Sequence, residues 1–431
     1  MNATFTRAVR YWVEAVCLTP LRTGGADGAV ETVLRDWEGR PFVQGTSLAG
    51  ALRGWLEGRD PDQAETLFGS QRQSGSLMVS DGIFGVTAEQ QSRPRLRING
   101  ITGTADDVGK FDVAHIAAGT KLAFTLTWLG DEGMMGQTGA VEQMLSALHA
   151  GEIRLGAQKS NGFGRVSLTV KKRSYRMEDG ADRAAWLEDR EDGTALTLPE
   201  LTLGDQVVFT LTGRADSILV KAGAREMRSG PKSGNRNVTV PLRENGRAIL
   251  PGSSVKGAVR ARAEAIAQLL GLEKDVTDAL FGRMGRRDAD GENQGNGLPG
   301  KVRFEDAVLS GQGREISRIR INRFTGGVIR QGLFVEEPLQ SEVTLRITLP
   351  EGEHMGCGLL LYALRDLGLG LYNLGSGGAV GRGFLAVDTI RARTPSGTEA
   401  CLRFDRDRSC TMEDPSGLFA QWLGAVRRDE A

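Results

Sequence analysis

The stretch AILPGSSVKGAVRARAE, Ala248 to Glu264, decides the fold. It reads as a short apolar strand, a Pro-Gly-Ser-Ser turn and a helix, with DALFGRM following from Asp278. Val255, Val259, Ile266 and Leu270 stand at i, i+4, i+11 and i+15, one stripe of a helix laid on a core. Ser253 or Ser254 stands where a hydroxyl caps a helix N-terminus. The same order occurs once before: PFVQGTSLAGALRGWLEG, Pro41 to Gly58, is followed by ETLFGSQ from Glu65.

Outward from these blocks the two halves keep matching in order. GSLMVSDGIF (Gly75 to Phe84) corresponds to GKVRFEDAVLS (Gly300 to Ser310), and RLRINGITG from Arg95 to RIRINRFTG from Arg318. Alternating strands, KLAFTLTW from Lys121 and EVTLRITLP from Glu342, come next. Each half closes on a glycine-rich turn, Gly156 to Leu168 and Gly375 to Val387. Five blocks in one order make a tandem repeat: a first domain over 1–175, a charged connector over 176–198 and a second domain over 199–431. Residues Gly282 to Gly300, without apolar periodicity, are expected to be a mobile loop. Strands and helices alternate within each copy, which predicts an α+β fold with helices on one face of a mainly antiparallel sheet.

Composition narrows the function. The 431 residues carry 54 basic and 54 acidic side chains, so a polybasic-tail mode of nucleic-acid binding is excluded and a local groove is not. Aromatics, at 6%, are too few for base stacking to be the main device, while 59 glycines imply many tight turns. Four scattered cysteines and three scattered histidines form neither a disulfide framework nor a zinc motif. Met1 to Pro20 has no signal-peptide core and no apolar run is long enough for a membrane span, so a soluble, cytoplasmic protein is expected.

A Gly-Ser/Thr-Ser turn opening a helix presents backbone N–H groups and hydroxyls at the positive end of the helix dipole, a site suited to phosphate. Ser253, Ser254, Lys256 and Arg260 provide it in the second copy; Thr46, Ser47 and Arg53 provide a weaker one in the first, where Ala49 replaces the lysine. The plainer reading is a capped surface helix. From Arg225 to Arg262 stand nine basic residues against two acidic, and from Arg314 to Arg330 five against one. With Arg93, Arg95 and Arg97, these suggest a groove that follows a nucleic-acid backbone largely without reading bases, the bland alternative being a solvated strand face. Gly381-Arg382-Gly383 is no Walker motif, and no Ser-His-Asp or Cys-His arrangement has support.

With these blocks, the two Ile-Asn-x-x-Thr-Gly segments at Ile98 to Gly103 and Ile321 to Gly326 and the terminal glycine-rich turns, the sequence resembles the RAMP superfamily of CRISPR-associated proteins. It looks most like a fusion of two backbone subunits of type III effector complexes. The resemblance implies two modified ferredoxin-like (RRM-type) domains with thumb hairpin insertions, placed after Thr102-Gly103 and Thr325-Gly326, with Lys110-Phe111 and Leu333-Phe334 at tip or root. It implies guide crRNA and target RNA as ligands, and a large subunit, other backbone subunits and small subunits as partners. The RNA-binding set is then Thr46, Ser47, Arg53, Arg97, Asn99, Lys232, Arg236, Ser253, Ser254, Lys256, Arg260, Arg320, Asn322 and Arg323.

In such subunits target cleavage depends on an acidic residue before the Gly-Ser-Ser turn, acting with Mg2+ or another divalent cation. That position falls near Glu31, with Asp27 and Asp36 flanking it; Asp27-Gly28 also suits an ordinary turn. The matching loop of the second copy, Met227 to Arg243, has no carboxylate, so this copy is expected to bind without cutting. A scaffold without nuclease activity is the alternative, and a CRISPR RNA-processing endonuclease a weaker one. The large polymerase-like subunit is excluded, since no His-Asp nuclease motif and no Gly-Gly-Asp-Asp segment is present.

Overall fold

The computed structural model describes residues 5–24, 32–86, 88–98, 105–202, 204–230, 234–283, 285 and 297–427. Two compact units divide the chain: Met1–Arg97, Asp107–Lys159 and Phe163–Gly204 form the first, and Asp205–Ala431 with Ile98–Asp106 and Ser160–Gly162 the second.

In the first unit the order is β1 (Arg7–Cys17), β2 (Phe42–Val43), α1 (Gly45–Glu57), α2 (Pro61–Phe68), β3 (Leu77–Val79), β4 (Gly82–Phe84), β5 (Gln90–Ile98), β6 (Ala105–Ile116), β7 (Lys121–Gly130), α3 (Gln137–Ala150), β8 (Val166–Arg176), α4 (Gly180–Leu187) and β9 (Thr194–Leu196). The sheet runs β2-β4-β7-β1-β8-β9, with β3 also on β7. β1 is central and antiparallel to both neighbours. Reading β1, the β3/β4 edge, β7 and β8 as the four core strands gives the ferredoxin-like arrangement, with the first strand flanked by the third and fourth.

Alternation along β1 turns Val9, Tyr11, Val13 and Ala15 into the core. There they meet Leu48, Leu52 and Leu56 of α1 and Val141, Met144, Leu145 and Leu148 of α3. β5 and β6 form a two-stranded sheet of their own, an arm whose last residue, Ile116, bridges to Leu21.

The second unit repeats the plan: β10 (Gln206–Ile218), β11 (Glu226–Gly230), β12 (Gly234–Thr239), β13 (Arg243–Glu244), β14 (Arg247–Leu250), α5 (Gly252–Leu269), α6 (Lys274–Phe281), β15 (Gly282–Arg283), β16 (Leu298–Pro299), β17 (Arg303–Phe304), β18 (Ala307–Leu309), β19 (Gln312–Gly313), β20 (Ile316–Ile321), β21 (Val328–Glu336), β22 (Leu339–Pro350), α7 (His354–Gly368), β23 (Leu385–Arg393), β24 (Glu399–Phe404), β25 (Cys410–Glu413) and α8 (Leu418–Val426). The sheet order β17-β22-β10-β23-β24-β25 again flanks the first strand with the third and fourth. α5 and α7 cover one core of Val207, Phe209, Leu211, Val259, Leu360 and Leu364.

The tightest position in each glycine-rich turn is closed to any side chain. A Cβ on Gly164 would lie 2.0 Å from the Leu155 carbonyl oxygen, and one on Gly383 1.9 Å from that of Leu374; both residues have positive φ.

Three expectations change. The N-cap of α5 is Pro251, with no side-chain bond, and Ser253 and Ser254 lie inside the helix. Leu270 follows the last helical turn and is exposed, so the buried stripe is Val255, Val259, Ala263 and Ile266. The stretch 176–198, whose composition suits a solvated connector or a surface helix, contains α4, which buries Ala185 against Ala8 and Tyr175, and β9, which pairs with β8. Gly282 to Gly300, expected to be mobile throughout, begins and ends in a strand pair, β15 with β16; residues 286–296 lie outside the described residues.

Candidate nucleic-acid interface

Both helix N-termini are held the same way. Gly45 N–H, the first of α1, donates to Asp81 Oδ1 at 2.6 Å, and Gly252 N–H, the first of α5, to Asp306 Oδ1 at 2.7 Å. A carboxylate from the link between two following strands thus takes one of the donors left open at the helix start and sits at the positive end of the dipole. Both aspartates occupy one position of the matched blocks, Val79-Ser80-Asp81 and Phe304-Glu305-Asp306, so the signal was present in the sequence.

The hydroxyls of Thr46, Ser47, Ser253 and Ser254 make no hydrogen bond among the described residues and stand beside these occupied starts. In the first unit a cleft of about 500 Å³ opens there, lined by Thr23, Leu34, Gln44, Ser47, Gly156 and Lys159. It joins the α1 start to the glycine-rich turn. Arg53 lies elsewhere: Gln44, Ser47, Gly50 and Ala51 face the cleft, whereas Arg53 is roughly a third of a helical turn away and pairs with Glu57 at 3.9 Å.

Arg260 is a structural residue rather than a surface cation. Its guanidinium donates to Glu264 at 2.7 Å, to the Gly282 carbonyl at 2.7 Å and to the buried Asp278 at 3.1 Å, tying α5 to the end of α6. Lys256 Nζ donates to Ser160 Oγ at 2.9 Å. Arg236 pairs with Glu315, and Arg228 with Glu226, Glu315 and Glu337, which raise its pKa. The basic run from Arg225 to Arg262 is therefore largely neutralised by carboxylates distant in sequence.

A further set of exposed cations lies on the β20–β21 arm. Ile316 pairs with Glu336, Arg318 with Phe334, Ile319 with Leu333 and Ile321 with Val328, leaving a bulge over Ile329 to Gly332. Asn322-Arg323-Phe324-Thr325-Gly326 is the tip itself, so the arm does not begin after Thr325-Gly326 as expected but flanks it; β5 and β6 likewise flank Thr102-Gly103. Asn322 builds the turn, its Oδ1 accepting from the backbone of Phe324 at 2.8 Å and Thr325 at 3.2 Å. Arg320, Arg323 and Arg330 are exposed, with no ion pair among the described residues, and Phe324 is 98% exposed beside exposed Ile321 and Val328.

At the arm's root Glu336, 3% exposed, gathers three cations: Arg318, Arg382 at 2.6 Å and Lys221 at 3.4 Å. Burial pushes its pKa up, but Arg382 and Arg318 outweigh that and hold the carboxyl below its usual range. In the first unit the position matching Arg382 is Phe163, with the Arg93 guanidinium 4.9 Å and that of Arg95 5.5 Å from its ring centre. Arm and glycine-rich turn are joined by cation–π contact in one unit and by ion pairs in the other. Neither junction was expected, because each joins residues far apart in the chain.

Asp36 is engaged in a turn. Its Oδ1 accepts from the backbone of Glu38 at 3.0 Å and Arg40 at 2.8 Å, and its Oδ2 from Arg40 Nε at 2.8 Å. Desolvation raises its pKa, yet these bonds, led by the Arg40 side chain, hold it below the ordinary value. Asp27, Glu31, Asn99 and Lys232 lie outside the described residues, as does the side chain of Arg97. Among the described residues no group of three or more His, Cys, Asp or Glu is placed to hold a metal ion, and no helix is long and apolar enough to cross a membrane.

Two like ferredoxin-type units, each with an arm, a glycine-rich turn and a hydroxyl-bearing helix start, make up the chain. The sequence profile of the RAMP superfamily matches residues 14–167 and 210–386, and the chain belongs to that superfamily. Membership supports a CRISPR-associated, RNA-binding role within a multi-subunit complex. No curated protein matches the chain.

Proposed function

We propose that this protein is a backbone subunit of a type III CRISPR effector complex, binding guide crRNA and holding the guide–target RNA duplex in company with a large subunit, other backbone subunits and small subunits. The observation that carries this reading is the β20–β21 arm. It carries three exposed arginines with no ion pair among the described residues and a fully displayed Phe324 on a hairpin whose root is fixed by Glu336. Such an arm grips phosphates by charge and offers an apolar wedge to stacked bases, while leaving sequence to be read by pairing.

The test is RNA binding across a salt series. Changing Arg320, Arg323 and Arg330 together to alanine should weaken binding and flatten the slope of log K against log salt by about 2, at roughly 0.7 per phosphate contact for a single strand. An unchanged slope would contradict the assignment.

Cleavage of target RNA belongs to this proposal only through Asp27 or Glu31, since the carboxylate of Asp36 is engaged in a turn. In the assembled complex with Mg2+, Asp27→Ala or Glu31→Ala should remove one cut while sparing binding. Survival of every cut in both variants would make the chain a scaffold.

A further inference from the structure

Trp37 is the side chain that the fold does least to justify. It is fully exposed, whereas Trp55, Trp128 and Trp422 are buried and Trp12 and Trp186 partly so. The repeat supplies an internal control. Leu34-Arg35-Asp36-Trp37-Glu38-Gly39-Arg40 matches Leu242-Arg243-Glu244-Asn245-Gly246-Arg247, one residue shorter. The second unit closes this hairpin on Asn245-Gly246, both at positive φ, with no tryptophan. Trp37 is thus part of an addition that the architecture does not need.

The addition is firmly built. Asp36 binds the backbone of Glu38 and Arg40 and the Arg40 side chain, and Arg35 donates to the Gly39 carbonyl at 2.7 Å. The indole is therefore displayed on a rigid turn, which lowers the entropic cost of using it. Its location is equally specific: Leu34 and Val43, at the base of the hairpin, line the cleft that also holds Ser47, Gly156 and Lys159. Two residues, Arg35 and Asp36, separate Leu34 from Trp37, a span of at most about 10 Å.

We infer that Trp37 is a stacking platform for an unpaired nucleobase of an RNA whose backbone lies in the cleft of the first unit. This rests on the RNA-binding reading above. The cleft supplies hydroxyl and backbone groups for sugar and phosphate, and the indole supplies the π-face that any base can use.

The test uses the full chain and a single-stranded RNA of mixed sequence. Trp37→Ala should lower affinity by about 5- to 150-fold, the range for losing one stacked base, and Trp37→Phe should restore most of it. Acrylamide quenching of tryptophan emission, taken as the difference between wild type and Trp37→Phe, should fall when RNA is added. If RNA binds while Trp37 stays open to acrylamide and Trp37→Ala binds like wild type, the platform is overturned and the RNA-binding reading stands. If wild type binds no RNA, both fall. Shielding that grows with protein concentration alone would place Trp37 between copies of this chain and also overturn the platform.

Discussion

Single side chains divide here into those that hold the fold and those left for a ligand. Arg260 belongs to the first kind, although its position beside Lys256 suggested the second. Arg260→Ala would leave Asp278 buried with, among the described residues, Arg283 as its remaining ion-pair partner, at 3.9 Å. A loss of about 3 kcal/mol is expected in urea unfolding, since an ion-pair partner removed from a buried carboxylate leaves its desolvation uncompensated. Glu336 makes a pH-dependent case. Its folded-state pKa lies below the unfolded value, so its carboxylate adds stability above the unfolded value, near ~4.3, and that contribution is lost as pH falls through the folded value. Glu336→Gln should therefore be less stable than wild type at about pH 7, with the gap closing below about pH 4 in denaturant titrations. None of these partners is readable locally: Glu336 lies 115 positions from Lys221 and 46 from Arg382, so counting charges along the chain overstates the free basic surface.

The elements themselves were far more legible. Half-buried strands announce themselves by alternation, as along β1 and β22, and α5 by its stripe, because burial on one face imposes the period directly. The glycine-rich turns were visible too, and their geometry gives a sharp expectation. Gly383→Ala must move the Leu374 carbonyl and adopt positive φ, so a loss of at least about 2 kcal/mol should appear in thermal or urea unfolding. Gly246→Ala, at positive φ but with open space around the new methyl, should cost only the backbone strain of about 1 kcal/mol. The arms were foreseen but misplaced: Ile-Asn-x-x-Thr-Gly looks like the end of a strand, and only the pairing across Asn322 shows that it is the turn. The helix caps were missed because the capping carboxylates come from inter-strand links 36 and 54 residues on.

For the molecule as a whole, the repeat was the strongest signal. It gave two units of one plan and a second copy of every motif against which to read the first. That comparison exposes the asymmetries that matter: Ala49 against Lys256, Phe163 against Arg382, and Trp37 against nothing. The central claim is that both units hold RNA through the same parts. Ultraviolet crosslinking of bound RNA to the full chain, followed by mass spectrometry of the crosslinked peptides, tests it most directly. The account predicts crosslinks in the peptides around Trp37 to Ser47, around Ser253 to Lys256 and along Arg320 to Arg330. Crosslinks confined to other surfaces, with these three segments unmodified, would contradict it.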